Sequence, residues 1–220
     1  WTLALLVAAS SLLYAAGVVL NDLFDLDIDA QERPERPLPS GRVSRRMAAG
    51  LGWGLLLLGI ALGWVVALRA GHVRPGVVAG LLAGCILLYD GYVKRTPLGP
   101  LLMGGCRMLN VLLGMSVIAG PLGPVHWLVS GSIGTYVVGV TWFARTEARR
   151  SNRWHLGLAT VVMMLGVGLL VWCPHWTESL APTFLFDRWY LMMGVLAALI
   201  GSHCLSAVMQ PDPVRVQAAV

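Results

Sequence analysis

Charged residues are scarce in this sequence. They make up 12% of its 220 residues, whereas 57% of the residues are hydrophobic, and a soluble domain carries about 25% charge. Mean hydropathy is correspondingly high, at +0.72. So little charge excludes an ordinary soluble domain and indicates a polytopic membrane protein.

Long polar linkers and short alternating segments are also absent. Barrel strands would repeat as alternating segments of about 10 residues, whereas the apolar runs here have the length of about 17 to 25 residues that a membrane helix needs. We therefore predict an all-α transmembrane bundle, forming a single membrane domain over residues 1–220. Its seven expected spans are approximately 1–20, 47–68, 76–93, 98–119, 125–144, 154–172 and 189–209.

The four cysteines form no C-x-x-C pair, and three of them fall within expected spans. Buried, reduced thiols are therefore favoured over a zinc site or a disulfide. The chain also begins without methionine, at Trp1, inside an apolar helix, and stops at Val220, just after PDPVRVQAAV starts what we expect to be another helix. We expect a fragment that is truncated at both ends.

Basic residues are distributed unevenly between the two sets of loops. One set holds only Arg69, Arg74 and Arg188, and Arg107 lies within a helix. By the positive-inside rule, the loops that are rich in cations are cytoplasmic, which predicts a protein of the cell inner membrane. The cytoplasmic cations are Arg33, Arg36, Arg42, Arg45, Arg46, Lys94, Arg95, Arg145, Arg149, Arg150, Arg153 and Arg215.

An acidic segment, NDLFDLDID, follows the first apolar run on this cytoplasmic side. In a continuous helix, Asp22, Asp25 and Asp29 lie within about 60° of one another, whereas Asp27 faces away, about 140° from Asp22. Carboxylates on one face repel one another unless a cation is present, and their hard oxygen atoms suit Mg²⁺. The alternative is a solvated acidic helix end, which the helix dipole disfavours.

The next segment, ERPERPLPSGRVS, places Arg33, Arg36 and Arg42 among prolines and Gly41. Guanidinium groups bind phosphate in a bidentate manner, although any one of these arginines is equally well explained as an ordinary cytoplasmic cation. Carboxylates for a metal and arginines for oxyanions together describe a diphosphate site.

The two segments together resemble the N-D-x-x-D-x-x-x-D motif and the R-P-L-x-x-G continuation of the UbiA superfamily of intramembrane prenyltransferases. The resemblance implies a bundle of about nine helices that binds a polyprenyl diphosphate through Mg²⁺, and of these helices this chain lacks the first. Asp22, Asp25 and Asp29 are then metal ligands and catalytic residues, and Asn21 supports them in substrate binding.

Two further matches extend the resemblance. In LYDGYVKRTPLG, Tyr89 and Lys94 resemble the Tyr and Lys that end the fourth helix of family members, which implies that they bind substrate, with Lys94 also catalytic. In GGCRMLNVLLG, Arg107 and Asn110 share one helix face, and a charge this deep in a helix should face the bundle interior. This helix is similar to a branch of the superfamily associated with Ebo gene clusters. We expect both residues to contact the ligand, and the alternative is a structural ion pair of Arg107.

The expected second aspartate-rich motif is depleted. At the end of the sixth helix the family has a pattern close to D-x-x-x-D, whereas VTWFARTEARRSN offers only Glu147, with Arg145 close by. Three explanations remain open: Glu147 alone completes a second metal site, arginine charge replaces a cation, or the protein binds a prenyl lipid without turnover. We expect Glu147 to be a catalytic metal ligand and Arg145 to bind substrate.

The resemblance predicts an Mg²⁺-dependent enzyme that transfers an isoprenoid group from a polyprenyl diphosphate to a lipophilic acceptor. Arg36, Lys94 and Arg107 would stabilise the leaving group. The alternative is a membrane protein that binds or transports a prenyl lipid or a cation through the same acidic site, without chemistry. Phosphatidyl transfer is disfavoured, because it requires D-G-x-x-A-R and the only Asp-Gly pair, Asp90 and Gly91, continues as YVK.

Overall fold

The computed structural model describes residues 1–145, 152–176 and 186–218, and every regular element in these ranges is helical. The predicted all-α fold is therefore confirmed. A π-helical turn, Tyr89–Val93, extends α4, and a 3-10 turn, Cys173–Trp176, follows α7. The α-helices are α1 (Thr2–Phe24), α2 (Leu26–Glu32), α3 (Arg45–Ala70), α4 (Arg74–Leu88), α5 (Gly99–Met115), α6 (Pro124–Ala144), α7 (Arg153–Trp172), α8 (Phe186–Met209) and α9 (Pro213–Ala218).

All seven expected spans coincide with helices, but only six of the described helical segments are long and apolar enough to cross a membrane. The exception is α5, which has 17 residues where a span needs about 20. This helix is short because Ser116 closes a tighter turn at its end. Both the backbone N–H and the hydroxyl of Ser116 donate to the Leu113 carbonyl, at 3.2 and 2.7 Å. The protein is an integral, polytopic membrane protein.

The chain forms two compact units. The first unit comprises Trp1–Pro97 and Leu109–Ala119, and the second comprises Leu98–Met108 and Gly120–Val220. The boundary therefore falls within α5, whose two halves belong to different units. The single membrane domain expected over residues 1–220 stays a prediction.

In the first unit, α1 packs along α3 through small residues. A Cβ atom added at Gly59 would lie 2.8 Å from Cγ of Leu13, and one at Gly52 would lie 2.8 Å from a methyl group of Leu20. Close approach of this kind supplies the van der Waals contact that holds helices together where lipid provides no hydrophobic drive. This packing fixes the end of α1, where the acidic segment begins.

In the second unit, α6 and α7 approach equally closely. A Cβ atom at Gly166 would lie 2.6 Å from the Tyr136 backbone nitrogen and 2.8 Å from the Ser132 carbonyl oxygen. Phe143 and Met163 lie in the buried cluster beside this contact. The α6 and α7 backbones thus touch directly, and glycine at position 166 is what permits it.

Candidate functional site

The acidic segment is helical but is interrupted at one residue. Helix α1 ends at Phe24 and α2 begins at Leu26, while Asp25 between them has φ −92° and ψ 1°. The expected continuous helix is therefore wrong at Asp25. The hydrogen bonds nevertheless continue across the break, from the Asp29 N–H to the Asp25 carbonyl at 2.8 Å. Asp27 is exposed, as the helical angles predict, whereas Asp29 is buried.

Arg36 joins two of the aspartates. Its Nη1 donates to Oδ2 of Asp29 at 2.7 Å and lies 3.6 Å from Oδ1 of Asp22. The hydrogen bond from Arg36 to Asp29 raises the pKa of the guanidinium above its usual value. A single cation thus brings Asp22 and Asp29 to the same side of the segment, as their spacing predicts.

Asp25 is paired with two cations that follow the π-helical turn. Nζ of Lys94 lies 2.6 Å from Asp25 Oδ2, and Nη2 of Arg95 lies 2.5 Å from Asp25 Oδ1. The Lys94 ammonium also donates to Oδ1 of Asn21 at 2.8 Å. The side chains of Lys94 and Asp25 are 13% and 19% exposed, so their charges are less screened than those of a surface pair.

Three carboxylates at this end of the first unit are paired with cations of the same unit. Each of the three carboxylates lies within 4 Å of at least one of three cations. The site therefore offers groups that can bind a metal and groups that can bind an anion within a few ångströms of one another. The residues are Asp22, Asp25 and Asp29 on the acidic side and Arg36, Lys94 and Arg95 on the basic side.

The loop from Arg33 to Ser44 is held by its own hydrogen bonds. Arg42 donates through Nε to the Ser40 hydroxyl at 3.1 Å and through Nη2 to the Glu35 carbonyl. Gly41 has φ +76°, a conformation that glycine adopts without strain. Arg42 thus stabilises the loop, whereas Arg33 is exposed. Their contact with phosphate stays a prediction.

The π-helical turn sets the positions of Tyr89 and Lys94. The Lys94 N–H donates to the Tyr89 carbonyl at 2.9 Å, five residues earlier, so the two residues begin and end one widened turn. Tyr89 is partly buried. Turns of this kind occur frequently at functional sites, and this one brings Lys94 to Asn21 and Asp25.

The two predicted ligand contacts on α5 fall in different units. Asn110 belongs to the first unit, where its Oδ1 accepts a hydrogen bond of 2.7 Å from the Ser10 hydroxyl of α1. Arg107 belongs to the second unit and is partly buried. Asn110 therefore has a structural contact between helices, and the contacts of Asn110 and Arg107 with a ligand stay predictions.

Arg145 lies at the end of α6, beside a cleft of about 180 Å³ in the second unit. The cleft is also lined by Leu156, Trp142 and His155, and the last two stack edge to face with their ring centroids 6.2 Å apart. Glu147 lies outside the described residues. Its role as the second metal ligand stays a prediction.

The side chains of the site offer oxygen donors that suit the Mg²⁺ expected from the sequence. Within residues 1–145, 152–176 and 186–218, no group of three or more His, Cys, Asp or Glu side chains is arranged to hold a metal ion. Mg²⁺ does not require such a group, because it is commonly bound by one or two carboxylates together with substrate phosphates and water. The oxygen donors of Asp22, Asp25 and Asp29 fit this mode of binding.

Sequence reasoning missed two residues at this site. The charge pattern predicts Arg95 only as a cytoplasmic cation, although this residue follows Lys94 directly. The sequence pattern marks Asp90 only as half of an Asp-Gly pair, yet Asp90 is 6% exposed within the helical segment Arg74–Val93. A carboxylate at the end of an apolar run was the available signal, since ionisable groups within membrane helices are rare and usually functional.

Comparison with solved structures supports the same fold. A structure from work on digeranylgeranylglyceryl phosphate synthase in membranes superposes with a TM-score of 0.70 at 22% sequence identity, over 98% of this chain and 77% of that one. At this identity, the likeness shows the fold alone.

Comparison with known sequences is more specific. The chain is 42% identical over 93 residues to digeranylgeranylglyceryl phosphate synthase of Methanoregula boonei, covering 42% of this chain and 32% of that protein. It is 36% identical over 102 residues to the chloroplastic chlorophyll synthase of Arabidopsis thaliana, covering 46% and 25% respectively. The chain thus spans about a third or less of the length of these relatives.

The sequence model of the UbiA prenyltransferase family matches residues 1–218, which is nearly the whole chain and includes every residue of the site described above. The chain therefore belongs to the UbiA prenyltransferase family.

Proposed function

We propose that the protein transfers an isoprenoid group from a polyprenyl diphosphate to a lipophilic acceptor, at the cytoplasmic side of the membrane and with Mg²⁺ as cofactor. The observation that carries the proposal is the set of three carboxylates ion-paired with three cations, contributed by the acidic segment, the loop after it and the residues that follow the π-helical turn. A cation alone would leave the basic residues unmatched, and an anion alone would leave the acidic residues unmatched. A metal and a diphosphate that bind together match both.

Asp22, Asp25 and Asp29 would hold the metal, and when bound it would neutralise charge on the diphosphate oxygens. Lys94 and Arg95 contact Asp25, so both would become available to the diphosphate if that carboxylate held the metal. Arg36 is close to Asp22 and Asp29 in the same way. The basic residues are therefore close enough to pair either with the carboxylates or with a bound diphosphate.

In the transfer step, the bond between C1 of the isoprenoid and the diphosphate oxygen breaks, and its electron pair leaves with the diphosphate. Lys94, Arg95 and Arg36 stabilise the charge that develops on this leaving group. The acceptor nucleophile bonds to C1 and loses its proton to a base at the site, such as the departing diphosphate. The apolar walls of the surrounding helices exclude water from the allylic cation.

The names of the relatives support this reaction class. One relative is named for a product that carries geranylgeranyl groups, digeranylgeranylglyceryl phosphate, and another is named chlorophyll synthase. The ligand roles predicted for Asn21, Arg33, Arg42, Tyr89, Arg107, Asn110 and Arg145 belong to the same proposal.

The direct test uses the full-length protein in lipid nanodiscs. Geranyl, farnesyl and geranylgeranyl diphosphates are supplied with a lipid extract of the source organism, and diphosphate release and new prenylated lipids are measured with and without Mg²⁺. We expect Mg²⁺-dependent release that is lost in Asp25→Asn and kept in the matched variant Asp27→Asn. Binding of the diphosphates without release under any condition would overturn the enzyme and favour a binding or transport protein.

A further inference from the structure

A buried carboxylate lies one helical turn before Lys94 and is not used by the proposed reaction. Asp90 is 6% exposed and belongs to the π-helical turn within the helical segment Arg74–Val93. Asp90 and Lys94 belong to one widened turn, because the Lys94 N–H donates to the carbonyl of Tyr89 at 2.9 Å. A buried carboxylate is costly without a cation, and Lys94 is the cation that ends this turn.

Helix α1 leaves room for Asp90. A Cβ atom at Gly17 would lie 3.2 Å from Cγ2 of Ile86 and 4.0 Å from Oδ2 of Asp90. Gly17 and Asn21 are four residues apart on α1, as Asp90 and Lys94 are on the other helix, and residues four apart share a helix face. The glycine lies against the buried carboxylate, and the asparagine accepts from the ammonium at 2.8 Å.

The two cations on Asp25 differ in their access to solvent. The side chain of Arg95 is 57% exposed, whereas that of Lys94 is 13% exposed. A metal that binds Asp25 competes for the same oxygen atoms and repels both cations. Arg95 can turn into water, but the buried Lys94 ammonium needs another anion nearby, and Asp90 supplies one.

We propose that Asp90 is a positioning residue that receives the Lys94 ammonium when a divalent cation occupies Asp25. Without the metal, Lys94 bonds to Asp25 and Asn21. With the metal bound and before a diphosphate arrives, Lys94 moves toward Asp90 and stays close enough to bind the diphosphate. The exchange breaks one ion pair and forms another, so the Lys94 ammonium is never left buried without an anionic partner. The inference rests on the proposed function for the use of Asp25 as a metal ligand.

The experiment uses a property of the sequence, because Lys94 is its only lysine. The full protein is labelled with lysine that carries ¹³C at Cε, which changes no atom of the site chemically. Lys94→Arg identifies the Lys94 resonance by its loss, and Mg²⁺ alone is then titrated, with no isoprenoid present. The signal reports the surroundings of Lys94 independently of turnover.

We expect Mg²⁺ to move the Lys94 resonance of the wild type to a new position. Asp90→Asn should leave the metal-free position unchanged, alter the metal-bound position, and weaken the apparent Mg²⁺ affinity at least threefold. The matched control, Asp27→Asn, removes an exposed carboxylate and should change none of these. An unmoved wild-type resonance, or an Asp90→Asn change confined to the metal-free state, would overturn the proposal.

A second variant, Asp25→Asn, tests the exchange independently in case Asp90→Asn does not fold. In Asp25→Asn the Lys94 ammonium has lost its carboxylate partner, so it should already lie near Asp90 and Mg²⁺ should move its resonance far less than in the wild type. A full wild-type response in Asp25→Asn would contradict the exchange. Because this readout needs no substrate, a failure of prenyl transfer and a failure of the Lys94 exchange are distinguished.

Discussion

Nη1 of Arg36 lies 2.7 Å from Oδ2 of Asp29, seven residues earlier in the chain. This contact folds the start of the loop back onto α2 and covers a carboxylate that is only 6% exposed. The geometry of the acidic segment therefore depends on a residue outside it, which leads to the first prediction.

Arg36→Gln should weaken the binding of an isoprenoid diphosphate about tenfold. A hydrogen bond to a charged group contributes about 1.5 to 3 kcal/mol, and about 1.4 kcal/mol corresponds to a factor of ten in affinity. The measurement is the dissociation constant of geranylgeranyl diphosphate with Mg²⁺ present. Arg45→Gln removes an exposed cation at the start of α3, to which no ligand role is assigned, and serves as the control. If both variants lost affinity equally, the effect would come from the loss of positive charge in general and not from the position of Arg36.

Alanine substitution along the acidic segment should affect Mg²⁺-dependent binding of diphosphate on one face of the helix and not on the other. Asp22→Ala, Asp25→Ala and Asp29→Ala should each abolish Mg²⁺-dependent binding of diphosphate, because all three carboxylates lie beside the cations of the site. Asp27→Ala should be nearly silent, since Asp27 is exposed. Calorimetry with Mg²⁺ and inorganic diphosphate measures the difference. Similar losses at all four positions would refute a single ligand-bearing face.

Much of this arrangement is predictable from the sequence, and the limits are physical. The helices follow from apolar runs of span length, and the exposure of Asp27 follows from the period of the helix. The break at Asp25 has no comparable signal, since neither proline nor glycine marks it. The pairing of Lys94 with Asp25 spans 69 residues, and such long-range contacts are set by helix packing rather than by any local pattern.

Glu147→Gln keeps the side-chain shape and removes the charge of the only carboxylate near the depleted second motif. If this acid holds a second cation at the diphosphate, Mg²⁺-dependent prenyl transfer should fall at least tenfold, about 1.4 kcal/mol in barrier height. Lipid binding that depends on Asp25 should survive. Turnover is measured as diphosphate release by the full-length protein, and an unchanged rate would remove Glu147 from the mechanism.

Gly166→Ala should destabilise the protein by about 1 to 3 kcal/mol, as overpacking does. The added methyl group would lie 2.6 Å from the Tyr136 backbone nitrogen, which no rotation of a side chain relieves. Gly168→Ala is the matched control, because nothing lies within 4 Å of a Cβ atom there. Thermal unfolding in detergent compares them, and equal midpoints would contradict the close contact of α6 and α7.

With α5 counted as a span in spite of its 17 residues, the cation distribution predicts that residues 30 and 149 lie on the same, cytoplasmic side of the membrane. Ala30→Cys and Arg149→Cys, each in a background without the native cysteines, should therefore react with a membrane-impermeant maleimide only in inside-out vesicles. Labelling of the two positions from opposite sides would refute the topology.

The hydrogen bond from Ser10 to Asn110, two residues 100 positions apart at 2.7 Å, bears on the order in which the protein is made. The unit that holds the acidic site also includes Leu109–Ala119, so it cannot close until the ribosome has synthesised that segment. At about 5 to 20 residues per second, α1 is synthesised several seconds before the segment Leu109–Ala119 with which it packs. During that interval the serine hydroxyl in α1 needs another partner, such as a backbone carbonyl of its own helix or a component of the insertion machinery.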